Sequence, residues 1–275
     1  MKNAMQLKAI IKNIAKEKGI SAQLVLQNFM LERFLERISI SMYRDHFILK
    51  GGLLIASMVG LDSRATMDMD ATIKGLPFSE QSVKDMFFEI CKTKLEDDVT
   101  FSFISLVEIR EGDEYEGYRV SLTANYPPMS VPLKLDITTG DKITPKEIIF
   151  EFRLLLEDRT IKVLAYNLET VLAEKLETII SRGDQNTRPR DFYDVYVLYK
   201  ILRRSIDKNL LKEAIAATSE KRNSMSILEN YKPILEVING SDIMHQRWKN
   251  YQKDFAYAKD IAFIDACKAV GDIMK

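Results

Sequence analysis

The stretch from Lys50 to Asp70, KGGLLIASMVGLDSRATMDMD, restricts what this chain can fold into more than any other. A glycine pair opens an apolar segment that ends at Gly60, and an Arg-x-Thr-x-Asp-x-Asp string closes it. The pattern predicts a short apolar approach (FILK), a turn at the glycines, a helix over Leu53 to Val59 and a strand from Asp68 to Ile73. On a strand, alternate side chains share a face, so Asp68 and Asp70 point the same way, about 7 Å apart along the backbone. Two adjacent carboxylates repel unless a cation lies between them. Magnesium suits such a pair, because it takes oxygen ligands and keeps positions open for water and substrate phosphates. Ahead of the pair, a Gly-Gly turn at a helix start can bring bare backbone N–H groups against phosphate.

Around this unit the chain is ordinary. It has 275 residues, 46% of them apolar, and no run of about 18 apolar residues marks a membrane span. The N-terminal stretch lacks the apolar core and small-residue cleavage site of a secretory signal. Cys91 and Cys267 have no paired spacing, which argues against a disulfide or zinc framework. A cytoplasmic protein with no membrane association is expected. Basic and acidic residues balance at 40 each, which argues against nucleic-acid binding through an overall field but leaves room for a local patch. His46 and His245 are the only histidines and read as surface or packing residues.

Residues 4 to 17 read as an amphipathic helix stopped by Gly19, and Ser21 as the cap of a second helix to about Ser39. Ser79 caps another, with Val83, Met86, Phe87 and Ile90 at i, i+3, i+4, i+7. Val99 to Ile109, Tyr118 to Ala124 and Val131 to Ile137 are strands by their β-branched and aromatic content, separated by EGDEYEG and NYPPM. A further hairpin turns at Leu156 to Arg159. From Leu168 the chain reads as helical, broken once at Asn239-Gly240. The expected class is α+β: a mixed sheet flanked by helices over residues 1–165, and a helical domain over residues 166–275, packed as a bilobed molecule.

Other charged residues stand where packing alone does not ask for them. Asp136, in VPLKLDITTGD, shares strand parity with Lys134; it is either a third carboxylate beside the first two or half of a cross-strand salt bridge. Asp141, beside Gly140, reads as a turn residue. Lys175 falls inside an apolar helical stripe of Leu168, Val171, Leu172, Leu176, Ile179 and Ile180. An unpaired buried ammonium is costly, so Lys175 must snorkel out or meet an anion. Arg182 lies near the same stripe and Glu174 off it. Asp191 opens the next helix, as a cap or as an inward-facing carboxylate, with Asp194 on the flank. Arg188, Arg190, Lys200, Arg203 and Arg204 form either a solvated basic face or a patch for a phosphate backbone.

LKGGLLIASMVGLDSRATMDMDATIKG resembles the nucleotidyltransferase core of the DNA polymerase β-like superfamily. With the FMLERFLERISISMYRDHFILKGG lead-in, the KLDITTGD strand, and the pair LAEKLETIISR and RPRDFYDVYVL, the succession resembles one branch more closely. That branch is the AbiEii/AbiGii-type toxins of bacterial abortive-infection and toxin–antitoxin systems, matched over roughly residues 25 to 200. The resemblance implies a polymerase β-like core and a C-terminal helical domain that contributes to the active site. It implies a metal site of Asp68, Asp70 and Asp136, holding magnesium or alternatively manganese, and an NTP as substrate. Lys50, Gly51, Gly52, Arg64, Thr66, Lys175, Arg190 and Asp194 would bind the nucleotide, and Lys175 and Asp191 would join the three aspartates in catalysis. Leu53 departs from the pattern, because many superfamily members place Ser or Thr after the glycines.

The activity implied is magnesium-dependent nucleotide transfer that blocks translation, with the tRNA 3′ end as acceptor. Arg182, Arg188, Arg190, Arg203 and Arg204 would meet the RNA backbone, and a cognate antitoxin would be a partner. The alternatives are nucleotidylylation of a protein or small hydroxyl compound, and a catalytically silent nucleotide-binding module.

Overall fold

Serine side chains set the starts of two N-terminal helices. A computed structural model describes residues 4–109 and 117–275, so of the expected EGDEYEG turn only Gly117 is described. Helix α1 spans Ala4–Lys18 and α2 spans Ala22–Ile40, with Ser21 Oγ accepting from Leu24 N–H at 3.1 Å. Strand β1 (Phe47–Lys50) runs into α3 (Gly51–Val59), then come β2 (Met69–Ile73) and α4 (Glu80–Lys92), where Ser79 Oγ accepts from Ser82 N–H at 3.2 Å. Each such cap satisfies a helix-end amide and stabilises by about 1 kcal/mol. Strands β3 (Thr100–Ile109), β4 (Gly117–Tyr126), β5 (Met129–Thr139), β6 (Ile148–Arg153) and β7 (Thr160–Ala165) follow.

The seven strands form one mixed sheet in the order β3-β4-β5-β2-β1-β7-β6. Strands β2 and β5 are parallel, as are β1 and β7; the other neighbours are antiparallel. Along β4 and β5, Val120, Leu122, Ala124, Val131, Leu133, Leu135 and Ile137 are buried, and Arg119, Lys134 and Asp136 take the alternate, open face. On the apolar side Phe34 of α2 stacks on Phe87 of α4 and meets Phe101 of β3 edge-on, at centroid distances of 5.8 and 5.0 Å. The expected turn at Leu156 to Arg159 is the tip of the antiparallel β6–β7 hairpin.

That hairpin is tied to α2 by buried charge. Glu32 accepts from Leu155 N–H at 2.7 Å, Arg33 reaches Glu157 at 2.8 Å, and Arg159 reaches Glu36 at 2.6 Å. Burial pushes the Glu32 carboxyl up to about 7, against the lowering pull of Arg33.

The chain divides into two compact units: the sheet with its helices (1–141 and 147–165), and a second unit of residues 142–146 and 166–275. In the second unit, Asn167 Nδ2 donates to Thr144 O at 2.6 Å and Thr144 N–H donates to Thr170 Oγ1 at 3.1 Å, which draws the short segment to the helices. Its helices are α5 (Leu168–Arg182), α6 (Pro189–Leu202), α7 (Lys208–Lys221), α8 (Met225–Glu229), α9 (Tyr231–Gly240), α10 (Asp242–Asp254) and α11 (Phe263–Ile273). The helical run is thus broken more often than the single break expected at Asn239-Gly240. Gly183 and Asn223 turn the chain at φ +55° and +53°, and Asp207 and Ser241 cap new helices. The Asn, Asp and Ser signals are weaker in sequence than a Gly pair, because each of these residues is also common on helix surfaces. Among the described residues no helix is long and apolar enough to cross a membrane.

Candidate active site

The Gly-Gly turn is the start of α3, which begins at Gly51 rather than Leu53. Gly51 has φ +66°, and a β-carbon there would lie 2.7 Å from Asp70 Cβ. Glycine is required on both counts, since other residues resist positive φ and the space is taken. Asp70 Oδ2 accepts from Gly52 N–H at 3.2 Å, so a carboxylate fills the anion position at this helix start. Beneath the turn, Thr66 Oγ1 would be 2.7 Å and Arg64 Nη2 3.3 Å from a β-carbon on Gly52. Thr66 Oγ1 donates to Asp68 O, and the Arg64 guanidinium donates to Ala65 O. Both residues are buried. Arg64, expected to neutralise phosphate, therefore brings its charge to the turn from below.

Strand pairing places four charges in one row on the open face. Lys50 is opposite Asp70, Asp70 is opposite Asp136, and Asp136 is opposite Arg119, across β1, β2, β5 and β4. Directly paired residues share a face, so the row runs plus, minus, minus, plus. Asp136 is held by both arms of the Arg119 guanidinium, at 2.7 and 2.6 Å. Of the two readings of Asp136 left open by its strand parity, the cross-strand salt bridge is present, and Asp136 also stands beside Asp70 in the β2–β5 pairing. The lysine at the other end of the row turns to Asp141, at 2.5 Å, and Asp141 also accepts from Thr138 Oγ1 at 2.8 Å. Asp141 is more than a turn residue.

Asp68 lies one residue ahead of β2, not within it. Its carboxyl is raised above the ordinary range by partial desolvation first, then by the charges of Asp70 and Asp136, with Lys134 and Arg119 acting in the opposite sense. Asp70 and Asp136 are thus near enough to act on Asp68, and all three side chains are oxygen donors of the kind a hard divalent cation takes. Among the described residues no group of three or more His, Cys, Asp or Glu side chains already stands in position to hold a metal. Both oxygens of Asp136 are engaged by Arg119.

The helical unit holds a second charged cluster. Lys175 Nζ is 2.6 Å from Asp191 Oδ1 and 3.1 Å from Asp194 Oδ2, and Arg188 Nε is 3.1 Å from Asp191 Oδ2. Burial alone would lower the Lys175 ammonium, but Asp191 and Asp194 outweigh it and hold the group above its ordinary value. The lysine in the apolar stripe thus meets anions instead of snorkelling. Asp191 is not the helix cap, a position taken by Arg188; it sits in the first turn, buried with Asp194.

The arginines assigned to RNA differ in exposure and partners. Arg188 is spent on Asp191, while Arg182, Arg190, Arg203 and Arg204 are exposed. Arg190 and Arg203 flank nearly the whole of α6, about 20 Å apart at 1.5 Å per residue. His46 and His245 hydrogen-bond backbone oxygens of Lys74 and Asn239, at 2.9 and 2.8 Å. Both cysteines are free, with burial raising Cys91 to about 11 and Cys267 to about 12.

Arg119 is the site residue that motif reading misses. A signal for it exists: a tight turn at Pro127-Pro128 pairs Tyr126 with Met129, and counting outward pairs Arg119 with Asp136.

A family model described as nucleotidyl transferase AbiEii toxin, type IV TA system, matches residues 33–270. No curated protein matches. Among solved structures, a candidate nucleotidyltransferase of H. pylori is similar at TM-score 0.56 and 14% identity, over 93% of this chain and 94% of that one. JHP933 from Helicobacter pylori is similar at TM-score 0.50 and 12% identity, over 92% and 91%. At these identities the likeness is one of fold.

Proposed function

Because the chain belongs to the AbiEii toxin family of nucleotidyltransferases, we propose that Asp68, Asp70 and Asp136 form its catalytic centre and that it transfers a nucleotide from an NTP to the 3′ end of tRNA. The observation that carries this reading is the row in which Asp70 and Asp136 stand side by side on parallel strands, at the mouth of the Gly51–Gly52 turn. Asp68, Asp70 and Asp136 would hold magnesium, or manganese, which when bound supplies charge neutralisation for the triphosphate.

The remaining roles fall to the chain itself. Gly51 and Gly52 would offer backbone N–H groups to phosphate, that of Gly52 only once Asp70 Oδ2 releases it, with Lys50 beside them and Arg64 and Thr66 supporting the turn from below. The acceptor hydroxyl attacks the α-phosphorus and gives its proton to Asp136; the bond to the β-phosphate breaks, and pyrophosphate leaves. Lys175, with Asp191 and Asp194, is assigned to the nucleotide by resemblance, as is Arg190. Arg182, Arg188, Arg203 and Arg204 are assigned to RNA on charge alone. Modification of tRNA would stop translation, place the protein in the cytoplasm and call for an opposing antitoxin.

The test is to incubate the purified protein with each NTP, labelled at the α-phosphate, together with total tRNA and magnesium. Label on tRNA, lost in Asp70→Asn, is the expected result. Label on a protein band or a small molecule, with tRNA untouched, would replace the acceptor; no transfer to any acceptor would make the fold a silent binding module.

A further inference from the structure

Arg119 takes no part in the roles above. It stands directly across from Asp136 in the β4–β5 ladder, and its Nε and Nη2 both donate to that carboxylate. Such fork-to-fork pairing engages both oxygens at once. Those are the oxygens that a cation shared with Asp70 would use. Asp70 in turn gives Oδ2 to Gly52 N–H. The two like charges at the centre of the row are thus each tied elsewhere, one to a guanidinium and one to a helix start.

We propose that Arg119 is the resident counter-ion of the carboxylate row, holding Asp136 until a divalent cation takes its place and the guanidinium moves aside. This rests on the metal-site reading above. Three features make the exchange inexpensive. The Arg119 side chain is 48% exposed, so the guanidinium regains water as it leaves. A pair this exposed contributes little to stability and is readily broken. Asp136 itself is fixed by its place in β5 between β4 and β2, so the exchange moves a side chain and not the sheet. A cation between two carboxylates also relieves the repulsion of both, where an arginine bonded to Asp136 relieves chiefly one. The sheet therefore carries a competitor for its own metal site, one that keeps the Asp136 carboxylate aligned while the site waits.

Manganese binding without nucleotide, followed by the EPR signal of free Mn2+, tests the exchange. The proteins compared are wild type, Arg119→Ala, Arg119→Lys, Lys134→Ala and Asp136→Asn. Exchange predicts binding roughly three- to tenfold tighter in Arg119→Ala, the scale of a partly exposed ion pair no longer broken. Arg119→Lys, which keeps the charge and loses the fork, retains most of that gain, and it carries the test if the alanine variant folds poorly by its melting curve. Lys134→Ala, which removes a nearby charge and leaves the fork, gains little. Equal affinity in wild type and both Arg119 variants, with binding lost in Asp136→Asn, overturns the exchange and leaves the metal site standing. A gain in both alanine variants with none in Arg119→Lys also overturns it, by reducing the effect to the local field. No Mn2+ binding by any of the five removes the metal-site reading, and the exchange with it.

Discussion

At Gly51 the backbone turns at φ +66° with the Asp70 side chain lying where a β-carbon would go. Two penalties therefore fall on one substitution. In Gly51→Ala the left-handed backbone alone costs about 1–2 kcal/mol, and Asp70 must leave its bond to Gly52 N–H. The expected outcome is a lowered denaturation midpoint together with a loss of nucleotide transfer larger than the lost stability explains. Gly19, at φ +64° with nothing within 4 Å of its would-be β-carbon, is the matched comparison: Gly19→Ala pays the backbone cost and keeps activity. Glu32 offers a test by pH. Its carboxyl is raised from an ordinary 4.5 to about 7 by burial, so between those values the native state holds a proton that the unfolded chain has released. Stability from this residue thus falls as pH rises through that window. Urea midpoints for wild type and Glu32→Gln should diverge from pH 5 to pH 8, with the variant gaining on the order of 2 kcal/mol relative to wild type.

At the scale of elements, what was legible in sequence depended on how local the determining contact is. The caps at Ser21 and Ser79 act within three residues, and both helices start where those serines stand. The β6–β7 hairpin and the three long strands follow from period and turn chemistry. The side-by-side placement of Asp70 and Asp136 does not, because a parallel pair is set by tertiary packing and not by a turn. Parity places Asp68 in the strand, yet pairing of β2 begins only at Met69. Asp191 is ambiguous in sequence for the same reason: its role depends on Lys175, one helix earlier. The α5–α6 cluster makes its own prediction. Asp191→Asn removes the nearer of two carboxylates from a buried ammonium, and breaking such a pair costs about 3–5 kcal/mol when nothing replaces it. Asp194 remains at 3.1 Å, so a loss below that range is expected, read as a lower melting temperature.

At the scale of the whole molecule, the sheet unit and the helical unit each contain a charged cluster that a hydrophobic core would not need. The acidic row sits on the sheet's open face beside a helix start, in a family of nucleotidyltransferase toxins. The lysine cluster is closed on itself by two aspartates. If the row is catalytic, transfer depends on carboxylates whose loss leaves the sheet intact. The direct measurement is the rate of magnesium-dependent pyrophosphate release from NTP plus tRNA, in wild type and in Asp70→Asn, with a melting curve for each. A catalytic row predicts a rate lower by about two orders of magnitude or more, as for lost metal support, with the melting curve nearly unchanged. An undiminished rate in a folded Asp70→Asn would contradict it.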